Sequence, residues 1–213
     1  MTQLDVGRAG PRSGGWVTRA RSDPVTGLVA FPDFHTAFPA HLVDAVTCGT
    51  AVGVAIGDVD HLTGYGGSLD AAHPERFGHL VGNAVMAHLG DLSATWFVEQ
   101  AFQAGCVSTF GGDEVIITAE VEEPVTFELA ITALRDRCRR ELPRTVSFAL
   151  TMVTPNVPGL RERLRDPHSA ANLVLATVDM TLFARKAARH GTADDGFIAT
   201  FQLDLAEVRC VVA

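Results

Sequence analysis

The chain has 213 residues, of which 47% are hydrophobic, so it is long enough for one domain with a substantial core. Its formal net charge of −8 and its pI of about 5.4 argue against nonspecific binding to nucleic acid. No apolar run is long enough to span a bilayer, and the polar N-terminus does not resemble a secretory leader, so we expect a soluble, cytoplasmic protein. The four cysteines lie far apart, which favours reduced structural thiols over a zinc site or disulfides.

The N-terminal part divides into a lead-in and a helix. Residues 1–21 are polar and rich in glycine, and we interpret them as a flexible lead-in to a domain that covers residues 22–213. Helical spacing of apolar residues then predicts the first helix, through Phe31, Phe34, Phe38, Leu42 and Val46. Pro32 suits the first turn of this helix, whereas Pro39 is expected to kink or shorten it.

A strand is predicted at Thr50–Gly57, because a near-continuous apolar run is typical of a strand that is buried on both faces. Asp58 and Asp60 follow it directly, and they lie on one side of an extended chain because side chains alternate. The two carboxylates could hold a metal ion, or they could accept local hydrogen bonds in a turn at the end of the strand.

The next helix is predicted to begin near His73 and to reach Leu89, with a break near Gly90 before a further helical region. His79 and Asn83 share a face of this helix because they are four residues apart.

The segment Gly111-Gly112-Asp113-Glu114 lies between two short apolar runs. This pattern predicts a β-hairpin, since glycine tolerates the positive φ of tight turns. Two adjacent carboxylates at its tip are costly unless a cation lies over them. The segment is therefore either a cation site or a solvated acidic turn.

The remaining elements complete an α+β pattern. Apolar residues between Phe127 and Leu134 predict a helix, whose basic last turn is interpreted as a solvated face rather than a phosphate site. A strand at Val146–Val153, a long helix from about Ser169 to His190 and a strand at Phe197–Phe201 follow. This order predicts a mainly antiparallel sheet flanked by helices.

In such a sheet, Asp58 and the hairpin tip could lie side by side at one edge. Carboxylates that converge in this way are tolerated around hard cations such as Mg²⁺. Bound ions could then activate a hydroxyl and hold a triphosphate for in-line displacement.

Over residues 22–201 the sequence resembles a divergent GGDEF domain, the family of diguanylate cyclases that condense two GTP molecules into cyclic di-GMP and release pyrophosphate. Five segments carry the resemblance in the family's order: Asp23–Leu28, Asp58–Asp60, Gly78–Asn83, Gly111–Val115 and Val178–Lys186. The family's fold is a palm-like antiparallel sheet related to nucleotide cyclases, with ferredoxin-like topology, and this agrees with the order of the predicted elements.

The resemblance implies roles for particular residues. Asp58, the Val59 carbonyl, Asp113 and Glu114 would hold Mg²⁺ or Mn²⁺, and Asp113 or Glu114 would act as a catalytic residue beside the attacking 3′-hydroxyl. Positions implied for substrate binding are His61, Leu62, Thr63, His79, Asn83, Gly111, Gly112 and Lys186. Since each domain of the family supplies half of a composite site, the resemblance also implies a homodimer.

Some of these residues have an ordinary alternative role. Lys186 would neutralise triphosphate charge, but it could also be a solvated lysine near the end of a helix. His61, His73 and His79 could act as acid–base groups or phosphate donors, or they could be turn and cap residues.

The chain departs from the family at the positions that bind the base. Thr63 stands at the family's lysine position and Gly66 at its guanine-binding asparagine, and an insertion at about 67–77 follows. Asn83 replaces an aspartate that can accept two hydrogen bonds from guanine, whereas an amide offers one donor and one acceptor. The expected substrate is therefore a nucleoside triphosphate, which is GTP by resemblance or another purine.

Three functions remain open from the sequence. The first is a cyclase that makes a cyclic dinucleotide, the second a metal-dependent enzyme that acts on a single nucleoside triphosphate, and the third an inactive nucleotide-binding module. The retained Asp58, Asp113 and Glu114 favour an enzyme, and we rank the cyclase first.

Overall fold

A computed structural model describes residues 20–62, 74–100, 102–189 and 195–206, with only the backbone for 74–79. The strands are β1 Val29–Ala30, β2 Ala51–Val59, β3 Gly105–Gly111, β4 Glu114–Val121, β5 Val146–Val153 and β6 Ile198–Thr200. The helices are α1 Phe31–Thr47, α2 Pro74–Glu99, α3 Pro124–Glu141, α4 Leu160–Arg163 and α5 Pro167–Ala188. The short elements β1 and α4 were not predicted.

The strands form one sheet in the order β1-β3-β4-β2-β5-β6. The central strand β2 is antiparallel to both of its neighbours, β4 and β5. Among the described strands, only the outermost pairs, β1 with β3 and β5 with β6, are parallel. The predicted α+β fold with a mainly antiparallel sheet is therefore confirmed.

Helices cover both faces of the sheet. On one face, α2 and α3 pack Leu89 and Phe127 against residues such as Ala55. On the other face, α1 and α5 bury side chains such as Phe38 against Ile56. Adjacent residues of β2 thus enter opposite cores, which confirms that this strand is buried on both faces.

Helix α1 does not end at Pro39. It continues for 17 residues through this buried proline, so the expectation that Pro39 would shorten the helix is wrong. Proline removes one backbone hydrogen bond from a helix. The apolar face of α1, which buries Phe34, Phe38 and Leu42, holds the helix together across that position. Pro32 lies in the first turn, as predicted.

Helix α2 is continuous, so the predicted break near Gly90 is also wrong. A Cβ atom at Gly90 would lie 2.0 Å from the carbonyl oxygen of Thr26. The glycine therefore allows the helix to contact the Asp23–Leu28 turn closely, and this is a packing role rather than a helix-ending one.

The domain opens with a turn at Asp23–Leu28. Asp23 Oδ1 accepts hydrogen bonds from the amides of Val25 and Thr26, and Gly27 has a positive φ of 70°. Most of the predicted lead-in, at residues 1–19, and most of the predicted insertion lie outside the described residues. Among the helices that are described, none is long and apolar enough to cross a membrane.

Candidate active site

Three acidic residues meet where β2 ends and β4 begins. The antiparallel register pairs Asp58 with Glu114, and the Val59 amide donates a hydrogen bond to the Asp113 carbonyl at 3.1 Å. We call the surface formed by Asp58, Asp113 and Glu114 the acidic end of the sheet. The strand that leads to Asp58 and the hairpin tip are therefore side by side, as the sequence predicted.

The tip of the β3–β4 hairpin is open. Gly111 and Gly112 have φ values of +99° and +71°, which side chains of other residues rarely allow. A Cβ atom at either glycine would meet nothing within 4 Å. The predicted Gly-Gly hairpin is confirmed, and its tip leaves space above the acidic end for a ligand.

Lys186 reaches the acidic end from α5. Its ammonium group contacts the Asp58 carboxylate, and its Nζ atom lies 3.2 Å from the Asp58 carbonyl and 3.0 Å from Asp60 Oδ1. The side chain is 20% exposed, so it is not a solvated lysine. Because one ammonium group bridges both carboxylates, Asp58 and Asp60 do point to the same side of the chain.

Asp60 has a second set of contacts that the sequence did not predict. Its Oδ2 atom accepts hydrogen bonds from Thr145 Oγ1 at 2.8 Å, Ser147 Oγ at 2.9 Å and the Gly196 amide at 2.9 Å. The donors come from segments that are distant in sequence, so Asp60 does not form a local turn. Serine in the apolar run of β5 was the one available signal, since a buried hydroxyl needs a partner.

The electrostatics of the acidic end favour a bound cation. Burial, with the nearby charges of Asp179 and Asp113, raises the pKa of Glu114 to about 7. Burial also raises the pKa of Asp179 on α5. Burial lowers the pKa of Lys186 to about 8, against the opposing charge of Asp195. The raised pKa values of Glu114 and Asp179 show that negative charge is costly here, and a divalent cation would lower that cost.

The residues at this end fit a magnesium or manganese ion that is bound together with a nucleotide. The Asp58 and Glu114 carboxylates and the Val59 carbonyl are hard oxygen donors. Within the described residues, no group of three or more His, Cys, Asp or Glu side chains forms a ready metal site. Magnesium is commonly held by one or two carboxylates and the phosphates of a substrate, so a complete protein cage is not required. Lys186 would have to leave Asp58 for such an ion to bind.

The other residues that were predicted to bind substrate lie in different environments. His61 is exposed, and its Nε2 atom lies 3.3 Å from Asp195 Oδ1. Leu62 packs against the core under α2 and α3, and Asn83 is exposed on α2. Thr63 and the side chain of His79 lie outside the described residues.

Comparison with known proteins identifies the fold. No protein-family model matches this sequence, and no curated protein matches it. Among solved structures, the GGDEF domain of DgcB from Caulobacter crescentus, in complex with c-di-GMP, is 18% identical with a TM-score of 0.62. That match covers 86% of this chain and 96% of the DgcB domain.

Two structures from Pseudomonas aeruginosa are also similar. The FimX GGDEF domain is 21% identical with a TM-score of 0.54, and the match covers 84% of this chain and 98% of that one. The diguanylate cyclase SiaD, in complex with its activator SiaC, is 14% identical with a TM-score of 0.60; the match covers 84% of this chain and 61% of SiaD. The chain therefore has the palm-like α+β fold of GGDEF domains, as the sequence resemblance implied.

Proposed function

We propose that this protein is a divalent-metal-dependent nucleotidyl cyclase, which condenses nucleoside triphosphates into a cyclic dinucleotide and releases pyrophosphate. The observation that carries the proposal is the pairing of Asp58 with Glu114 beside the open Gly-Gly tip. This arrangement combines oxygen ligands for a cation with space for phosphates.

The residues at the acidic end and Lys186 have separate roles in the proposed reaction. Asp58, Glu114 and the Val59 carbonyl would hold Mg²⁺ or Mn²⁺, which supplies charge neutralisation and Lewis-acid activation at the phosphates. The Lys186 side chain moves in this proposal: its ammonium group leaves Asp58 and contacts the triphosphate, where it offsets negative charge.

The bond changes follow from this placement. The 3′-oxygen of one nucleotide attacks the α-phosphorus of another, and the bond from that phosphorus to pyrophosphate breaks. The hydroxyl proton passes to a carboxylate of the hairpin tip, at Asp113 or Glu114. Repeating the step between two copies of the chain closes the ring, so the proposal includes a homodimer.

The substrate is proposed to be GTP or another purine triphosphate. The complex of the DgcB domain with c-di-GMP supports a guanine nucleotide. The amide of Asn83 supports a changed base contact, since it offers one donor and one acceptor where a carboxylate offers only acceptors.

The proposal is tested by incubating the purified protein with each nucleoside triphosphate and Mg²⁺ or Mn²⁺, and identifying the products by mass spectrometry. We expect a cyclic dinucleotide, and we expect a chelator to abolish it. Asp58→Asn should lower the rate by at least about 100-fold, because a cation ligand is lost. Glu122→Gln, an exposed acid beyond the far end of β4, is the matched control and should keep the wild-type rate.

Two results of this assay would contradict the proposal. A dinucleotide made equally well by Asp58→Asn would remove the acidic end from the mechanism. Hydrolysis of a single triphosphate without any dinucleotide would identify the enzyme as one that acts on one nucleotide.

One observation favours a second candidate, a nucleotide-binding module without catalysis. In this structure Lys186 supplies the cation on Asp58. A chain that keeps this ion pair would bind a triphosphate without needing a divalent ion. Isothermal titration separates the candidates, because the module binds nucleotide equally well with and without Mg²⁺, whereas the cyclase binds it more tightly with Mg²⁺.

A further inference from the structure

The two oxygens of the Asp60 carboxylate have separate partners. Oδ2 accepts three hydrogen bonds, from Thr145, Ser147 and the Gly196 amide. Oδ1 faces Lys186 Nζ at 3.0 Å. Asp60 is 4% exposed, and its three donors lie in β5 or shortly before β5 and β6, so this carboxylate is fixed by the sheet.

Asp58 differs from Asp60 in this respect. Its carboxylate pairs with Lys186 and has no hydrogen-bond donor comparable to the three on Asp60 among the described contacts. It also lies opposite Glu114, where a second carboxylate is close. Asp58 is therefore the aspartate that can exchange Lys186 for another cation, whereas Asp60 stays in place.

We propose that Asp60 is a positioning residue, which retains Lys186 at the acidic end when Asp58 binds another cation. The inference deepens the proposed function and rests on it for its purpose, since a retained ammonium group remains within reach of a triphosphate. Without Asp60, Lys186 would keep only a neutral acceptor, the Asp58 carbonyl at 3.2 Å, and its long side chain would regain rotamer freedom.

The composition of the chain makes this inference directly testable, because Lys186 is the only lysine in the sequence. A protein grown with carbon-13-labelled lysine therefore has one lysine side-chain signal in its NMR spectrum. Relaxation of the Cε atom reports how strongly the side chain is held. The substitution Asp58→Asn imitates the loss of Asp58 to a cation, so the sample needs neither metal nor nucleotide.

We expect the Lys186 side chain to be restrained in the wild type and equally restrained in Asp58→Asn. In the double variant Asp58→Asn/Asp60→Asn, its order parameter should fall below about 0.6, the range of flexible groups. Asp195→Asn is the matched control, because the described contact of this carboxylate is with His61 and not with Lys186, and we expect the restraint to persist.

A flexible Lys186 in Asp58→Asn alone would overturn the inference, because Asp60 would then fail to hold it. A restrained Lys186 in the double variant would overturn it too. Should the double variant not fold, Asp58→Asn decides by itself, with a restrained signal in support and a flexible signal against. The result is independent of catalysis, so failure of the proposed cyclase activity would be seen separately in the product assay.

Discussion

Lysine and arginine occupy different kinds of position in this chain. Of 17 basic residues, one is a lysine, and it lies at the acidic end. Arginines make surface pairs instead, such as Arg137 with Glu99 and Glu141 and Arg21 with Asp33. Exposed pairs of this kind contribute little to stability, because water and salt screen their charges. A lysine ammonium is a compact charge on a flexible stem, which suits a group that moves between a carboxylate and a phosphate.

The buried residue His41 affects how the free energy of unfolding depends on pH. His41 in α1 is 5% exposed, and burial lowers its pKa to about 4 despite the charge of Asp44. Its Nδ1 atom lies 3.5 Å from Glu120 Oε1, but burial outweighs that carboxylate, whose own pKa burial raises. Between pH 6.5 and pH 4 the unfolded chain therefore binds a proton that the folded chain excludes.

We expect the contribution of His41 to the free energy of unfolding to be greatest above pH 6.5 and to fall by up to about 3 kcal/mol as the pH drops to 4. Glu114, whose pKa is raised to about 7, contributes a change of the opposite sign between pH 7 and 4.5, so the His41 part is measured as a difference between variants. Urea unfolding at several pH values measures this change. The stability of His41→Gln relative to the wild type should rise as the pH falls from 6.5 to 4, whereas that of the control His88→Gln, on the exposed side of α2, should stay constant. An unchanged slope in His41→Gln would contradict the assignment.

For helices and strands, local sequence patterns predicted the structure correctly where residues close in sequence determine it. The bounds of β5 and the Gly111-Gly112 hairpin follow from strand-forming runs and from glycines that permit positive φ. The break at Gly90 and the shortening at Pro39 were wrong because tertiary packing outweighs helix propensity there.

The candidate site, like the fold, was predicted only in part from the sequence. The meeting of Asp58 with the hairpin tip followed from the order of the strands. The role of Asp60 did not, because its partners are 85–136 residues away and depend on how β5 and β6 are placed. The contact of Lys186 with Asp58 likewise joins residues 128 positions apart.

Helix α2 offers a matched pair of glycine substitutions. Gly90→Ala should destabilise the protein by about 1–3 kcal/mol, since the new methyl group overlaps the Thr26 carbonyl. At Gly82 a Cβ atom meets nothing within 4 Å, so Gly82→Ala should stabilise by about 0.5–1 kcal/mol. Chemical denaturation of both variants tests the two signs, and stabilisation by Gly90→Ala would show that the helix can shift away from the turn.

Each copy of the chain has one acidic end, and the proposed condensation requires two acidic ends. We therefore expect specific activity to rise with protein concentration until the dimer is saturated, because only paired copies complete the reaction. Initial rates over a wide range of enzyme concentrations, with sedimentation in the presence of nucleotide, measure this dependence. A rate strictly proportional to enzyme concentration, from a protein that sediments as a monomer, would show that one copy suffices.

The outermost strands of the sheet are short: β1 has two residues and β6 has three. Long open strands recruit other chains into aggregates, because their unpaired amides and carbonyls act as a template. These two strands present little such template, and the strands β2 and β4, with nine and eight residues, are enclosed between neighbours. The folded protein should accordingly resist fibril formation, and aggregation on heating should follow the loss of the native fold.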